Sequence, residues 1–345
     1  MMKNVDEIIG NFGKVEELFF EQEIENIIQL ANEVCLKTYG NKVFLRGLIE
    51  FSNQCIMNCL YCGIRRENKK IFRYTMANDE IFEIVKIGYE KGIRTFVLQS
   101  GENNTGLSHR NLCELTYKIK KHFQDAAITL SCGYFNKNQL KSLKDTGADR
   151  YLIRFEVADD RIYDYIKNGE KLAKRVQMLY NLKELGFETG SGFMVGLPNE
   201  TDAVLLKNLK LCKELELDMV GIGPFIPHPD TPLKNAILQP LERTLKMVAL
   251  LRILLPYSNI PATTAAGSID PRGREKMLLS GANVLMPNIT PVRYKQNYIL
   301  YPNKICVNES NFSCFSCMEK RVFSINKKIS FETGTSKNFI RRIIK

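Results

Sequence analysis

The 345-residue chain is 44% hydrophobic and 25% charged, an ordinary globular composition with room for one large barrel-type domain or two smaller ones. Its apolar runs are too short for a membrane-spanning helix; the nearest, Met247 to Leu255, is interrupted by Arg252. The formal charge of +11 is concentrated in Met318 to Lys345, where eight Lys/Arg stand against two Glu. A basic tail can meet nucleic acid, an acidic protein or anionic lipid, but solvation is the commoner fate, and no aromatic-rich RNA-binding run accompanies it. Neither nucleic acid nor a membrane is therefore expected as a partner. The N-terminus, Met-Met-Lys-Asn-Val-Asp-Glu, lacks the apolar core of a signal peptide. With ten cysteines and no such signal, a reducing cytoplasm and metal ligation are expected in place of disulfides.

Residues 1–42 read as a helical cap: Leu18, Ile24, Ile27, Ile28 and Ala31 recur at helical spacing, and Gly40 supplies a stop. From residue 43 to 290, short apolar strands alternate with amphipathic helices. The strands are predicted at Val43–Phe51, Thr95–Gln99, Ala127–Ser131, Tyr151–Phe155, Thr189–Val195, Met219–Ile222, Ala262–Ala265 and Val284–Met286. Helices start near Asn78, Ser108 and Lys171 and after Pro240. This α/β alternation predicts a (β/α)8 TIM-type barrel. A doubly wound sheet competes, but it usually follows its first strand with a glycine-rich turn, whereas this first strand runs into cysteines. Residues 291–345 form a C-terminal extension.

Those cysteines lie in Cys55-Ile-Met-Asn-Cys59-Leu-Tyr-Cys62, a stretch with neither helical nor strand period. Three thiolates from one loop can hold a 4Fe–4S cube and leave one iron without a protein ligand. A structural zinc site, the alternative, wants four closed ligands, and no second C-x-x-C pair lies nearby. A barrel collects its chemistry at the C-terminal ends of its strands. There the sequence places Gln99-Ser100-Gly101-Glu102, Thr129 to Gly133, Arg154 with Glu156, and Thr263-Thr264, a polar set that suggests a polar cavity.

The C-x3-C-x-aromatic-C spacing, with Tyr61 as the aromatic, resembles the signature of the radical S-adenosylmethionine (radical-SAM) enzymes. Val43 to Ser52, Gly63-Ile-Arg-Arg66, Val220 to Pro232 and Pro261-Ala-Thr-Thr264 extend the likeness to the HydE family of FeFe-hydrogenase maturases, over roughly residues 40 to 320. The resemblance implies a 4Fe–4S cluster on Cys55, Cys59 and Cys62. It also implies S-adenosylmethionine, seated by Tyr61, Ser100, Glu102, Glu156 and Arg175. The cluster would cleave it reductively to a 5′-deoxyadenosyl radical. The substrate implied is an organometallic iron complex carrying cysteine, carbon monoxide and cyanide, lined by Arg46, Gln99, Thr129, Arg154, Thr263, Thr264 and Tyr301. Partners implied are other maturases and an electron donor such as ferredoxin or flavodoxin. Where the family often carries His after the strand-four Arg, this chain has Phe155.

Cys306, Cys314 and Cys317 resemble the family's optional second iron–sulfur site, of 2Fe–2S or 4Fe–4S type, outside the barrel. Cys35, Cys113, Cys132 and Cys212 read as small apolar residues, and His228, in a Pro-His-Pro turn, as structural. Two other readings compete: a radical-SAM amino-acid mutase resembling methylornithine synthase, whose relatives lack the cysteine-bearing tail, and a non-enzymatic iron–sulfur carrier. Sulfur insertion of the biotin-synthase kind fits worse, because Cys132 alone among the remaining cysteines falls on a strand.

Overall fold

The computed structural model describes residues 5–103, 105–309, 312 and 314–344. Among the described residues nine strands are formed: β1 (Lys42–Leu45), β2 (Gly47–Ser52), β3 (Thr95–Ser100), β4 (Ala127–Ser131), β5 (Arg150–Leu152), β6 (Glu188–Val195), β7 (Met219–Pro224), β8 (Val284–Leu285) and β9 (Lys328–Ser330). Strands β2 to β7 pair in sequence order, all parallel. The ring closes through single parallel bridges, Met219 to Asn259 and Pro261 to Val284, and through β8 pairing with β1 and Asn288 with Leu48. Counting residues 259–261 as a stave, the result is the eight-fold parallel barrel expected from the alternation.

Helices cover the outside because their apolar residues share one face. In Leu172–Glu184 the buried positions are Leu172, Arg175, Met178, Leu179 and Leu182, spaced three and four apart. The helix Lys137–Asp145 begins in a capping box of Asn136 with Gln139, and Asp202–Glu214 begins on the Thr201 hydroxyl. Residues of β2, β6 and β7 are buried throughout, as parallel strands covered on both faces must be. The N-terminal helices Phe12–Glu21 and Ile24–Tyr39 pack against Leu241–Leu254, and Gly40 ends the second at a φ of +64°, where a side chain would be strained.

Three predicted strands differ from those observed. Val43–Phe51 is one stave but two strands. The ladder toward β8 runs on through the break, from Phe44 N to Asn283 O, Arg46 N to Leu285 O and Leu48 N to Pro287 O. On the other edge β1 is taken by β9 and β2 by β3. The fourth strand ends early, because the Phe155 N–H donates to the Ser191 hydroxyl and Glu156 turns left-handed, at a φ of +63°. The seventh stave lies earlier than predicted. Thr263 caps a helix, Thr264–Ile269, by accepting from Ala266 N, so the backbone turns helical where a strand was expected.

The basic tail is not simply solvated. β9 pairs parallel with β1, and residues 333–342 then cross the N-terminal ends of the staves. Thr333 O accepts from Thr95 Oγ1 at 2.8 Å and Arg150 Nη2 at 3.0 Å, and Gly334 O from Asn259 Nδ2 at 2.8 Å and Arg46 Nη2 at 3.2 Å. Ser336 N donates to Glu188 Oε1 at 3.0 Å, and Arg342 Nη2 to Asp218 Oδ2 at 2.7 Å. Gly334 has a φ of +58°, and a Cβ there would stand 2.5 Å from the Phe44 ring, so this residue must be glycine. The tail is a strap closing the barrel floor. Among the described residues no helix is long and apolar enough to cross a membrane.

Candidate active site

The loop after β2 carries the three early cysteines and has no regular structure between Asn53 and Tyr74. Its shape is set by side chains that accept or donate to its own backbone. Arg73 donates to the carbonyls of Asn53, Ile64, Arg65 and Asn68, and Arg65 to those of Cys59 and Asn58. Asn53 Nδ2 reaches Phe72 O and Asn297 O, both at 2.7 Å. Backbone bonds tie the loop to its surroundings: Ile56 N to Glu102 O after β3, Leu60 N to Ile166 O, and Gly63 N to Leu300 O. A Cβ on Gly63 would overlap Ile299 O and stand 2.6 Å from His228 Nε2. His228 therefore buttresses the loop from the β7 side, with its Nδ1 accepting from Asp230 N.

Cys59 is buried and Cys55 and Cys62 are partly so. Burial, followed by the neighbouring Cys59 and Cys55, pushes the Cys62 thiol far above its ordinary range, and burial raises the Cys55 thiol. Thiolates carried on one short loop favour a cation to share, which is the environment an iron–sulfur cluster supplies. Among the described residues no three His, Cys, Asp or Glu side chains converge on the point a single metal ion would occupy. The donor set is all sulfur, open to a fourth ligand, and fits a cluster.

Beside the loop lie the residues assigned to S-adenosylmethionine. Tyr61 donates to Glu156 Oε1 at 3.1 Å. Arg175 is buried, not an exposed helical cation; its Nη2 meets Glu102 Oε2 at 3.0 Å and its Nε donates to Tyr163 OH at 3.1 Å. The Glu102 side chain lies across Gly133, where a Cβ would overlap it. Ser100 Oγ turns back to Gly101 O at 2.7 Å. Tyr61, Glu102, Glu156 and Arg175 thus form one patch at the C-terminal strand ends, with Tyr163 joining it.

Behind this patch the barrel wall holds polar atoms without partners. Thr129 Oγ1, Arg154 Nε and Nη2 and Glu156 Oε2 are buried with no hydrogen bond; Arg154 and Glu156 form an ion pair at 3.1 Å whose angles make none. Buried groups in this state cost free energy unless a ligand completes them. Gln99 Nε2 reaches Tyr298 OH at 3.3 Å. Thr263 Oγ1 caps its helix and lies 3.5 Å from Met277 Sδ, while Thr264 is the first residue of that helix. Tyr301 is half-buried, with Glu50 and Ser268 close to its hydroxyl. Arg46 departs from the substrate end. It sits on the floor, donating to Met219 Sδ at 3.0 Å and to Gly334 O, with Glu188 at 4.0 Å, because it precedes β2 by a full strand length from the loop.

Of the later cysteines, Cys306 has a left-handed φ of +64° and Cys317 lies on the helix Cys314–Phe323. Both thiols act electrostatically on Arg321, which is bound to Glu275 at 2.6 Å. Cys314 opens that helix one turn before Cys317; its side chain is outside the described residues. Cys35, Cys132 and Cys212 are buried and free, and Cys113 is half-buried.

Sequence reasoning passed over Arg73, Tyr163 and Lys167. Lys167 is a buried residue whose ammonium stands 5.9 Å from the centre of the Tyr61 ring. Residues 49–212 match the Radical SAM superfamily, and 222–333 the Biotin and Thiamin Synthesis associated domain. The FeFe hydrogenase maturase subunit HydE of Thermotoga maritima is 46% identical over 319 residues, which is 92% of this chain and 91% of that one. The 3-methylornithine synthase of Methanosarcina acetivorans is 28% identical over 282 residues, 81% of this chain and 79% of its own. The crystal structure of methylornithine synthase (PylB) has the same fold, with a TM-score of 0.82 at 22% identity over 99% of each chain. A cysteine loop at the mouth of a parallel barrel and near-full-length identity to that maturase lead to one assignment: the chain belongs to the radical SAM superfamily and, within it, to the HydE family.

Proposed function

We propose that this protein is a radical-SAM maturase acting in assembly of the FeFe-hydrogenase diiron site on an iron complex carrying cysteine, carbon monoxide and cyanide. When bound, a 4Fe–4S cluster supplies one electron to S-adenosylmethionine, whose carbon–sulfur bond breaks to give methionine and a 5′-deoxyadenosyl radical. Cys55, Cys59 and Cys62 would hold three irons. Glu102 and Glu156 offer carboxylates to the methionyl ammonium or ribose hydroxyls, Arg175 offers a guanidinium to the methionyl carboxylate, and Tyr61 seats the adenine. Ser100 lies on the same turn. Strand and helix enclose the patch and keep stray hydrogen donors out, as a radical demands.

The observation that carries the reading is the set of buried atoms without hydrogen bonds on Arg154 and Thr129 in the barrel wall. An anionic complex would satisfy the guanidinium and hydroxyl, with Gln99, Thr263, Thr264 and Tyr301 as further lining. Arg46 would act only from the floor. A second cluster on Cys306, Cys314 and Cys317, and contacts with other maturases and with a ferredoxin or flavodoxin, belong to the same reading, supported by the HydE relationship. The test is anaerobic reconstitution and assay for 5′-deoxyadenosine with a strong reductant. A carrier would release none. Turnover of a free amino acid but not of the iron complex would replace the maturase reading with a mutase.

A further inference from the structure

Lys167 belongs to the site, and none of the roles above uses it. It ends the short helix Asp160–Ile166, its N–H bonded to Tyr163 O at 2.9 Å, and the preceding residue receives the Leu60 N–H of the cysteine loop at 2.8 Å. Helix end and cysteine loop are thus fastened together by backbone, which fixes where the lysine side chain can go. It is only 5% exposed. Among the described residues no carboxylate or carbonyl lies within hydrogen-bond reach of its ammonium. Its charge is held above the ordinary lysine range: burial disfavours it and Arg175 repels it, but Cys59 foremost, then Glu156 and Tyr163, outweigh both. Glu156 is already engaged, by Tyr61 and by Arg154.

A cation held beside a loop of thiols is stabilised by each negative charge that arrives there. The charge that arrives here sits on Cys59 and Cys62. Resting on the radical-SAM reading above, we propose that Lys167 is the counter-charge of the barrel cluster, easing its one-electron reduction. Each electron adds one negative charge beside the ammonium, so the cation favours the reduced state over the oxidised one. The electron comes from an external one-electron donor of the iron–sulfur or flavin class, or from dithionite in the test, and leaves with the cleaved sulfonium. Lys167 itself gains and loses nothing: it is a positioning charge.

The experiment is a potentiometric titration, followed by absorbance and electron paramagnetic resonance. It uses the full chain with Cys306, Cys314 and Cys317 changed to serine, so that one cluster alone reports, and no S-adenosylmethionine is added. At the midpoint of the parent protein, Lys167→Met and Lys167→Gln should show a reduced-to-oxidised ratio at least tenfold lower, equivalent to a fall of about 59 mV. Lys167→Arg should restore the parent value. If Lys167→Met and Lys167→Gln lose iron while Lys167→Arg keeps it at the parent potential, the charge is assigned as well. A parent-like potential in a fully loaded Lys167→Met protein overturns the proposal, also where its affinity for S-adenosylmethionine has dropped, which would assign Lys167 to the carboxylate instead. Iron loss in all three variants reduces Lys167 to packing and overturns it too. A parent chain that binds no four-iron cluster removes the functional reading and this inference together, whereas the other outcomes remove the inference alone.

Discussion

Changing Glu188 to alanine would strip the barrel floor of its central carboxylate. Glu188 Oε2 accepts from Arg150 Nε at 2.5 Å, Oε1 accepts from Ser336 N at 3.0 Å, and Arg46 Nη2 stands at 4.0 Å. The three side chains are at most 5% exposed. Burial and the Arg150 charge already lower Arg46 to about 9, and Glu188 is the carboxylate that supports it. Breaking a buried pair from one side costs about 3–5 kcal/mol, because the partner charge is left behind. At roughly 2.1 cal/mol/K per residue, the 345 residues give an unfolding entropy near 0.7 kcal/mol/K, so Tm should fall by about 4–7 °C. Removing both charges, Arg150→Met with Glu188→Met, should cost less than the two single changes added together, by at least ~1 kcal/mol. Urea unfolding followed by circular dichroism measures the parent and the four variants, and amide exchange should show residues 328–339 opening first in Glu188→Ala. A Glu188→Ala protein within ~1 kcal/mol of the parent, or strict additivity in the double variant, would refute the reasoning.

Arg175→Gln removes the guanidinium that faces Glu102. It should weaken S-adenosylmethionine binding at least tenfold, about 1.4 kcal/mol, by equilibrium dialysis, with iron content unchanged. Gly63→Ala would drive a methyl into Ile299 O and His228, a strain of at least ~1–3 kcal/mol, and reconstituted iron at the early cysteines should fall. Serine at Cys306, Cys314 and Cys317 should lower total iron yet leave 5′-deoxyadenosine formation intact, because these residues lie outside the barrel; loss of that activity would mean the second site feeds the first. Cys59→Ser should abolish 5′-deoxyadenosine release while the circular dichroism spectrum stays that of the parent.

The cysteine loop could be read from residue spacing because its chemistry is local: three thiols within eight residues need no tertiary information. The barrel was legible for a similar reason, since buried parallel strands print near-continuous apolar runs between helical patterns. Lys167 was not. It stands in Lys-Asn-Gly-Glu-Lys, which has the composition of a solvated turn, and it is buried only because a loop a hundred residues earlier packs over it. Arg46 differs in the opposite direction: the family resemblance put it at the substrate end, but its partners on the floor are Gly334 and Glu188, supplied by the tail and by another strand. The tail itself was hidden by its charge. β9 is three residues long, and the groups that fasten it are mostly backbone carbonyls, which carry no sequence signature.

The strap also imposes an order on biosynthesis. Lys42 pairs with Lys328, so the first stave waits for a partner made after nearly all the rest. At ~5–20 residues per second a ribosome needs roughly a quarter of a minute to a minute to cover that distance. During this interval the nascent chain has its full set of early thiols but a β1 edge with bare N–H and C=O groups, the kind of edge that recruits neighbouring chains. Translation that stops short of Lys328 would release such a chain permanently, able to gather iron and prone to clump.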